Sequence, residues 1–282
     1  MNVAITGMVT LQEIDFEKIW EKRYEEREKL RLNDDGIKTW DIAAEDFSFS
    51  NNMSSFEYGR QVKEVLDRVL NSDSEVLEIG PGPGTLVIPF AGKVRKITAV
   101  EPSKGMIREL MKNAEAAGIS NYEIINKLWE EIDESKITRR YDLVICSSVL
   151  WIFRDVWKQL RRMETVSKGY CCVVAGTETA GYIDLYRELM GENYPKFEDA
   201  SLIYNILYNR GRLSNVMMIT QTKSTPYPIE RWIQNRERAL SSFVEITPEV
   251  RRIIREHVSE KSDGGNYRVE EQAAVIWWKA KS

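Results

Sequence analysis

A chain of 282 residues with 43% hydrophobic and 30% charged residues, 16 Gly and 8 Pro has the makeup of an ordinary globular protein. It is long enough for one large domain, or one domain with an elaboration, and rules out disorder as the main state. Lys and Arg number 40 against 44 acidic residues, a net charge of -4, so no overall positive field exists to hold a polyanion and a dedicated nucleic-acid binder is not expected.

His257 is the only histidine, which removes most zinc sites, Ser-His-Asp triads and histidine proton relays. No metal is expected. Cys146, Cys171 and Cys172 form no CxxC pair and read as buried thiols of a reducing compartment. The longest apolar run, 143–153, falls short of the ~18 residues that span a bilayer. The start of the chain lacks the basic region and small-residue cleavage site of a secretory leader. The expectation is a soluble, cytoplasmic protein with no membrane partner.

In chain order, residues 11–31 suit an exposed amphipathic helix. Residues 33–55 look polar and irregular. A helix over about 56–70 shows Val62, Val65, Leu66 and Val69 on one face. Residues 1–70 are thus expected to form an N-terminal helical cap on a domain of residues 71–282.

From residue 75 the period changes. Short apolar runs near 75–79, 96–100, 122–126, 141–147 and 170–175 read as strands, separated by helix-length segments, which predicts an α/β fold with a parallel sheet covered on both faces. The segment 103–117 carries Met106, Ile107, Leu110 and Met111 as its apolar side. After Gly176 the alternation stops. Residues 180–214 look like a helical insertion after the fifth strand, too short for a core of their own. A strand at 215–222, a helical stretch after two prolines, a helix over 247–260, a turn at Asp263-Gly264-Gly265 and a last strand over 270–280 complete the chain. The pairs Arg161-Arg162 and Arg251-Arg252 read as solvated helix faces, and His257 as a helix-surface residue.

The chemistry is concentrated in Glu78-Ile79-Gly80-Pro81-Gly82-Pro83-Gly84-Thr85, directly after a strand and before a helix expected to begin near Thr85. Alternate glycines let the backbone turn sharply and approach a ligand. The following helix N-terminus favours a ligand with an anionic group. Glu101 ends the next strand, 17 residues after Gly84, where a carboxylate can accept both hydrogen bonds of a ribose diol. Two ligands fit, a dinucleotide and S-adenosylmethionine. A dinucleotide fingerprint would place a glycine at 85, where Thr85 stands, and Glu78 would repel a pyrophosphate yet attract an ammonium group.

With these residues in view, the sequence resembles the class I S-adenosylmethionine-dependent methyltransferases from about residue 56 to 176. VLEIGPGPGTL is similar to their first motif, ITAVEPSKGM to the second, NKLWEEI to the adenine loop and YDLVICSSVLWI to the strand and loop that follow. The resemblance implies a Rossmann-like three-layer sandwich whose mostly parallel seven-stranded sheet has its last strand antiparallel. It implies S-adenosylmethionine as methyl donor and S-adenosylhomocysteine as product. By position, Gly80, Pro81, Gly82 and Gly84 would lie under the methionine part and Glu78 would hold its ammonium. Glu101, followed by Pro102, would take the ribose hydroxyls. Met106 would pack on the adenine, and Leu128 and Trp129 would supply its other wall and a backbone hydrogen bond. Cys146 and Ser147 stand where the fourth strand opens into the cleft, Ser147 toward the methionine and Cys146 as a small buried spacer.

Trp40, Tyr58, Trp151, Glu178 and Tyr182 are the candidates around the acceptor, the aromatics to favour a positive sulfur and Glu178 as base or amine anchor. Trp40, Tyr58 and Trp151 suit packing between cap and sheet equally well. In-line methyl transfer can proceed by proximity alone, so no catalytic residue is assigned. The CSSV loop lacks the paired prolines of amino-methylating DNA enzymes, no double-Glu hairpin of arginine methyltransferases follows, and the cysteines are not placed for an arsenite substrate. The Tyr, Leu and Ile content of cap and insertion points to a partly apolar small-molecule acceptor, with a protein side chain or a non-catalytic S-adenosylmethionine-binding role as alternatives.

Overall fold

The structure is a computed structural model describing residues 13–33, 36–177, 183–196, 199–225, 229–263 and 266–281. Its strands are β1 (Glu75–Ile79), β2 (Lys96–Val100), β3 (Tyr122–Ile125), β4 (Tyr141–Ser147), β5 (Ser167–Gly176), β6 (Asn215–Thr225), β7 (Ser262–Asp263) and β8 (Asn266–Lys279). The described helices are α1 (Phe16–Leu30), α2 (Ile37–Met53), α3 (Glu57–Leu66), α4 (Val87–Ala91), α5 (Lys104–Ala116), α6 (Val156–Val166), α7 (Ile183–Met190), α8 (Asp199–Asn209), α9 (Ile229–Leu240) and α10 (Pro248–Glu260).

The sheet order is β3-β2-β1-β4-β5-β8-β6, with the two-residue β7 paired to β8 at the margin. β1 to β5 pair in parallel, and β8 enters antiparallel between β5 and β6. The seven-stranded, mostly parallel sheet expected from the resemblance is therefore present, with β7 as an addition.

Successive strand residues are buried on opposite faces, as a sheet covered on both sides requires. Leu77, Ile79, Val144, Cys146, Cys171, Val173, Ile276 and Trp278 share one cluster with Trp20 of α1, Leu160 and Met163 of α6, and Ile203 of α8. Val76, Leu143, Ile145, Cys172, Val174 and Trp277 share the other with Val62 and Leu66 of α3, Phe90 of α4 and Leu110 of α5. A third cluster joins α7, α9 and α10 through Leu185, Tyr186, Trp232, Ile254 and Val258. The described parts of the 180–214 segment hold α7 and α8 together with non-helical residues.

The stretch 33–55, expected to be irregular, holds the 17-residue helix α2. Trp40, Ala43, Ala44 and Phe47 have helical spacing, but the buried residues of α2 include Asp46 and Ser48, and these polar positions blur the apolar period. α1 and α3 contribute to opposite faces of the sheet, so α2 carries the chain from one face to the other, and it packs on α5.

That packing also corrects the reading of α5. Met111 is 53% exposed, while Glu109 and Asn113 are buried beside Met106 and Leu110. Arg162, expected on a solvated face, is buried with its guanidinium 4.7 Å over the Trp129 ring, donating to the carbonyls of Trp129 and Ile132 and to Glu134. His257, expected at the surface, is buried on α10 beside Ile254 and Val258. The helix expected near Thr85 begins at Val87, after a turn. No helix among the described residues is long and apolar enough to cross a membrane.

Candidate active site

Parallel strands that end together leave a crevice outside their carboxyl ends, at the point where the strand order reverses. Here that point is β1, between β2 and β4, and the glycine loop is its continuation. The backbone has positive φ at Gly80, Gly82 and Gly84 (67°, 55° and 93°). At Gly80 a second constraint applies, since an added Cβ would lie 2.6 Å from Val149 Cγ2. The loop after β4 is thus pressed against the glycine loop, and only glycine meets both demands.

Two carboxylates flank the loop. Glu78, at 2% exposure, has its carboxyl pushed up to about 8 by burial, with a smaller contribution from the Glu101 charge. Glu101, 6% exposed, accepts the backbone N–H of Gly82 at 3.1 Å and of Ser103 at 2.9 Å. Burial raises its carboxyl while these two donors lower it and nearby Asp41 raises it again. A carboxylate offers about four lone-pair positions, so two remain for a diol. Asn126, not singled out in the sequence, donates to the carbonyls of Glu101 and Pro102 at 2.9 Å each and holds that loop in shape.

The remaining cofactor candidates are distributed as follows. Met106 is buried on α5, its Sδ 3.8 Å from where a Cβ on Gly82 would lie. Leu128 is 38% exposed, but its backbone N–H donates to the Glu131 carboxylate at 3.0 Å. Trp129 is buried in the first core cluster under Arg162, which occupies one face of the indole expected beside the adenine. Cys146 is fully buried, its thiol pushed up to about 12 by burial and then by Glu78; it is an inert neighbour of the site.

Ser147 Oγ and Tyr58 Oη lie 2.8 Å apart. Burial pushes the Tyr58 phenol up to about 12, against the lowering effect of its bonds to Ser147 and Ser148, so it stays protonated at neutral pH. Trp40 of α2 and Trp151 after β4 meet at 6.3 Å between ring centroids, and Trp40 meets Phe47 at 6.1 Å. The Trp151 indole donates to the Ser148 carbonyl at 2.9 Å, and the Arg31 guanidinium lies 5.6 Å from its ring centroid. Glu178 and Tyr182 lie outside the described residues.

The cap supplies residues that motif reading missed. Asp41 Oδ1 accepts from Ser103 Oγ and from the Gly105 N–H, both at 2.7 Å. Asn113 donates to the Pro83 carbonyl at 2.8 Å and to Ser48 at 3.0 Å, Asn52 donates to Asn113 at 2.8 Å, and Asn51 donates to Thr85 at 2.7 Å. Asp41, Ser48, Asn51, Asn52 and Asn113 belong to none of the motifs, and no local pattern in the sequence marks them.

The arrangement suits an adenosyl amino acid. Two buried acids lie on either side of a glycine cradle, one able to meet an ammonium and the other a diol, and no basic side chain among the described residues bonds to either.

The sequence model of a family described as methyltransferase domain matches residues 70–231, more than half of the chain. Among curated relatives, ubiquinone biosynthesis O-methyltransferase of Rickettsia canadensis is 26% identical over 152 residues, 50% of this chain and 63% of that one. A tRNA/tmRNA (uracil-C(5))-methyltransferase of Campylobacter curvus is 34% identical over 73 residues, 26% and 20% of the two chains. This chain therefore spans less than two thirds of either relative. A crystal structure of a candidate methyltransferase from Bacillus halodurans superposes with a TM-score of 0.55 at 15% identity, over 78% of this chain and 99% of that one. Another, from an antibiotic biosynthesis pathway of Anabaena variabilis, superposes with a TM-score of 0.54 at 16% identity, over 78% and 96%. The sheet order and the matched stretch agree with the loop chemistry: the chain belongs to the methyltransferase domain family, and its fold is the Rossmann-like one of class I methyltransferases.

Proposed function

We propose that this enzyme methylates a small, partly apolar acceptor held under α2, in a cytoplasmic setting that keeps its three buried thiols reduced. The observation that carries the proposal is the aromatic contact of Trp40 with Trp151 and Phe47. It joins α2 to the loop after β4, whose neighbouring Val149 abuts the glycine loop. A roof of this kind supports a closed pocket over the open groove that a polypeptide or a folded RNA needs.

Glu78 would hold the ammonium of the cofactor, Glu101 its ribose hydroxyls, and the Gly80–Gly84 loop its methionine part. Bound there, S-adenosylmethionine supplies the methyl group and a sulfide leaving group. The chain contributes alignment and exclusion of water, which can lower the barrier by ~7–11 kcal/mol. Tyr58, protonated at neutral pH and bonded to Ser147, offers hydrogen bonds to an acceptor and no basic function. The test is incubation of the purified chain with radiolabelled S-adenosylmethionine and a cell extract, followed by separation into small molecules, RNA and protein. Label in the small-molecule fraction is expected; label confined to RNA or protein overturns the proposal.

A further inference from the structure

Resting on the proposed role of Glu101, a connection runs from the cap to the cofactor site through one side chain. Glu101 Oε1 is held by the Ser103 N–H at 2.9 Å. Ser103 is the N-cap of α5, its Oγ accepting from the Met106 N–H at 3.1 Å. The same hydroxyl donates to Asp41 Oδ1 at 2.7 Å, and that oxygen also takes the Gly105 N–H. These bonds hold the Asp41 carboxyl below its ordinary value. Ser103 therefore has a fixed hydroxyl direction, with its acceptor side on the helix and its donor side on α2. The approach is close: a Cβ on Gly105 would lie 2.6 Å from the Asp41 carbonyl oxygen. Nothing bulkier than glycine lets α2 reach this point.

We propose that Asp41 is a positioning residue for the cofactor: by anchoring Ser103 it sets the orientation of the Glu101 carboxylate, which makes α2 a working part of the cofactor site. The second attachment of α2, through Ser48, Asn51 and Asn52 to Asn113 and Thr85, holds the glycine loop on the other side of the same crevice. Docking of α2 and ordering of both cofactor loops are then one event, and Trp40, adjacent to Asp41, reaches Trp151 only in the docked arrangement.

The experiment is a double-mutant cycle on the full chain, with affinities for S-adenosylmethionine and S-adenosylhomocysteine read by calorimetry. Asp41→Ala is expected to weaken both ligands roughly tenfold, the scale of one hydrogen bond to a charged group. In a Glu101→Gln background the same change is expected to cost little further, because its effect passes through Glu101. Asp41→Asn, which keeps an acceptor oxygen, should recover most of the loss; if Asp41→Ala fails to fold, Ser103→Ala, which removes the hydroxyl that Asp41 anchors, takes its place in the cycle. A purely structural role gives losses that add across the cycle, and that result, or an unchanged affinity of Asp41→Ala, overturns the proposal. Failure of the wild-type chain to bind either ligand would instead defeat the cofactor reading. Wild-type binding lost in Glu101→Gln but untouched in Asp41→Ala leaves that reading standing and removes Asp41 from it.

Discussion

Glu78 predicts a proton-coupled cofactor site. Its carboxyl is buried at the end of β1 and pushed from an ordinary value of 4.5 up to about 8, mainly by burial and next by Glu101. At neutral pH it is protonated in the free protein. An ammonium group brought against it favours the carboxylate, so cofactor binding near pH 7 should expel up to one proton. Affinity should rise with pH by as much as tenfold per pH step, levelling off above about 8. Isothermal titration at pH 7 in buffers of different ionisation enthalpy measures the proton directly, and Glu78→Gln should abolish its release. The absence of proton release by wild type would mean that the ammonium does not rest on Glu78.

The same group sets a stability slope. Between pH 4.5 and about 8 the unfolded chain has lost the Glu78 proton while the native one keeps it, so this group's contribution falls as pH rises through that window. At about 1.4 kcal/mol per tenfold change in proton affinity, the total reaches about 5 kcal/mol. Glu78→Gln removes it. Chemical denaturation at pH 5 and pH 8 should show the variant gaining on wild type at the higher pH, and equal slopes for the two would refute the reasoning.

Gly80→Ala places a methyl against Val149 at a positive φ; a loss of roughly 1–3 kcal/mol in stability is expected by denaturant titration, partly restored by Val149→Ala. Arg27 is buried with Asp199 at 3.4 Å and donates to the Trp151 carbonyl at 2.7 Å. Arg27→Met strands the aspartate and should cost about 3–5 kcal/mol in urea unfolding, much of it recovered by Asp199→Asn.

The glycine loop and its two flanking carboxylates, the residues proposed to hold the cofactor, were legible because their determinants are local. Glu78 and the glycines are consecutive in sequence, and Glu101 ends the next strand, so strand period and glycine spacing place them without knowledge of the rest of the chain. α2 escaped because two of its four buried residues, Asp46 and Ser48, are polar. Asp46 faces Arg231 and Arg238 of α9, Ser48 faces Asn113, and such positions look like surface until their partners are in place. Arg162 and His257 were misplaced for the same reason: a charged or polar residue on an amphipathic helix is assigned to solvent unless its partner is known. The stacking of Arg162 on Trp129 joins positions 33 residues apart, and no local pattern records it.

That division follows from how the cap is attached. α1 and α3 place apolar side chains in the two sheet clusters, where burial is non-directional and worth roughly 25 cal/mol per Å². α2 is held by directional contacts, with Asp41 on the α5 N-terminus, Asp46 between two arginines and Asn51 and Asn52 on Thr85 and Asn113. Buried polar contacts of this kind contribute modestly to net stability, and their clearest use is to fix register. The fold can therefore stay intact while the aromatic residues of α2 are exchanged, because Trp40 and Phe47 are less than fully buried. The face that carries Trp40 and Phe47 is thus lightly constrained by packing, while the bonds from Asp41 and Asn113 hold the loops after β2 and β1 in place beneath it.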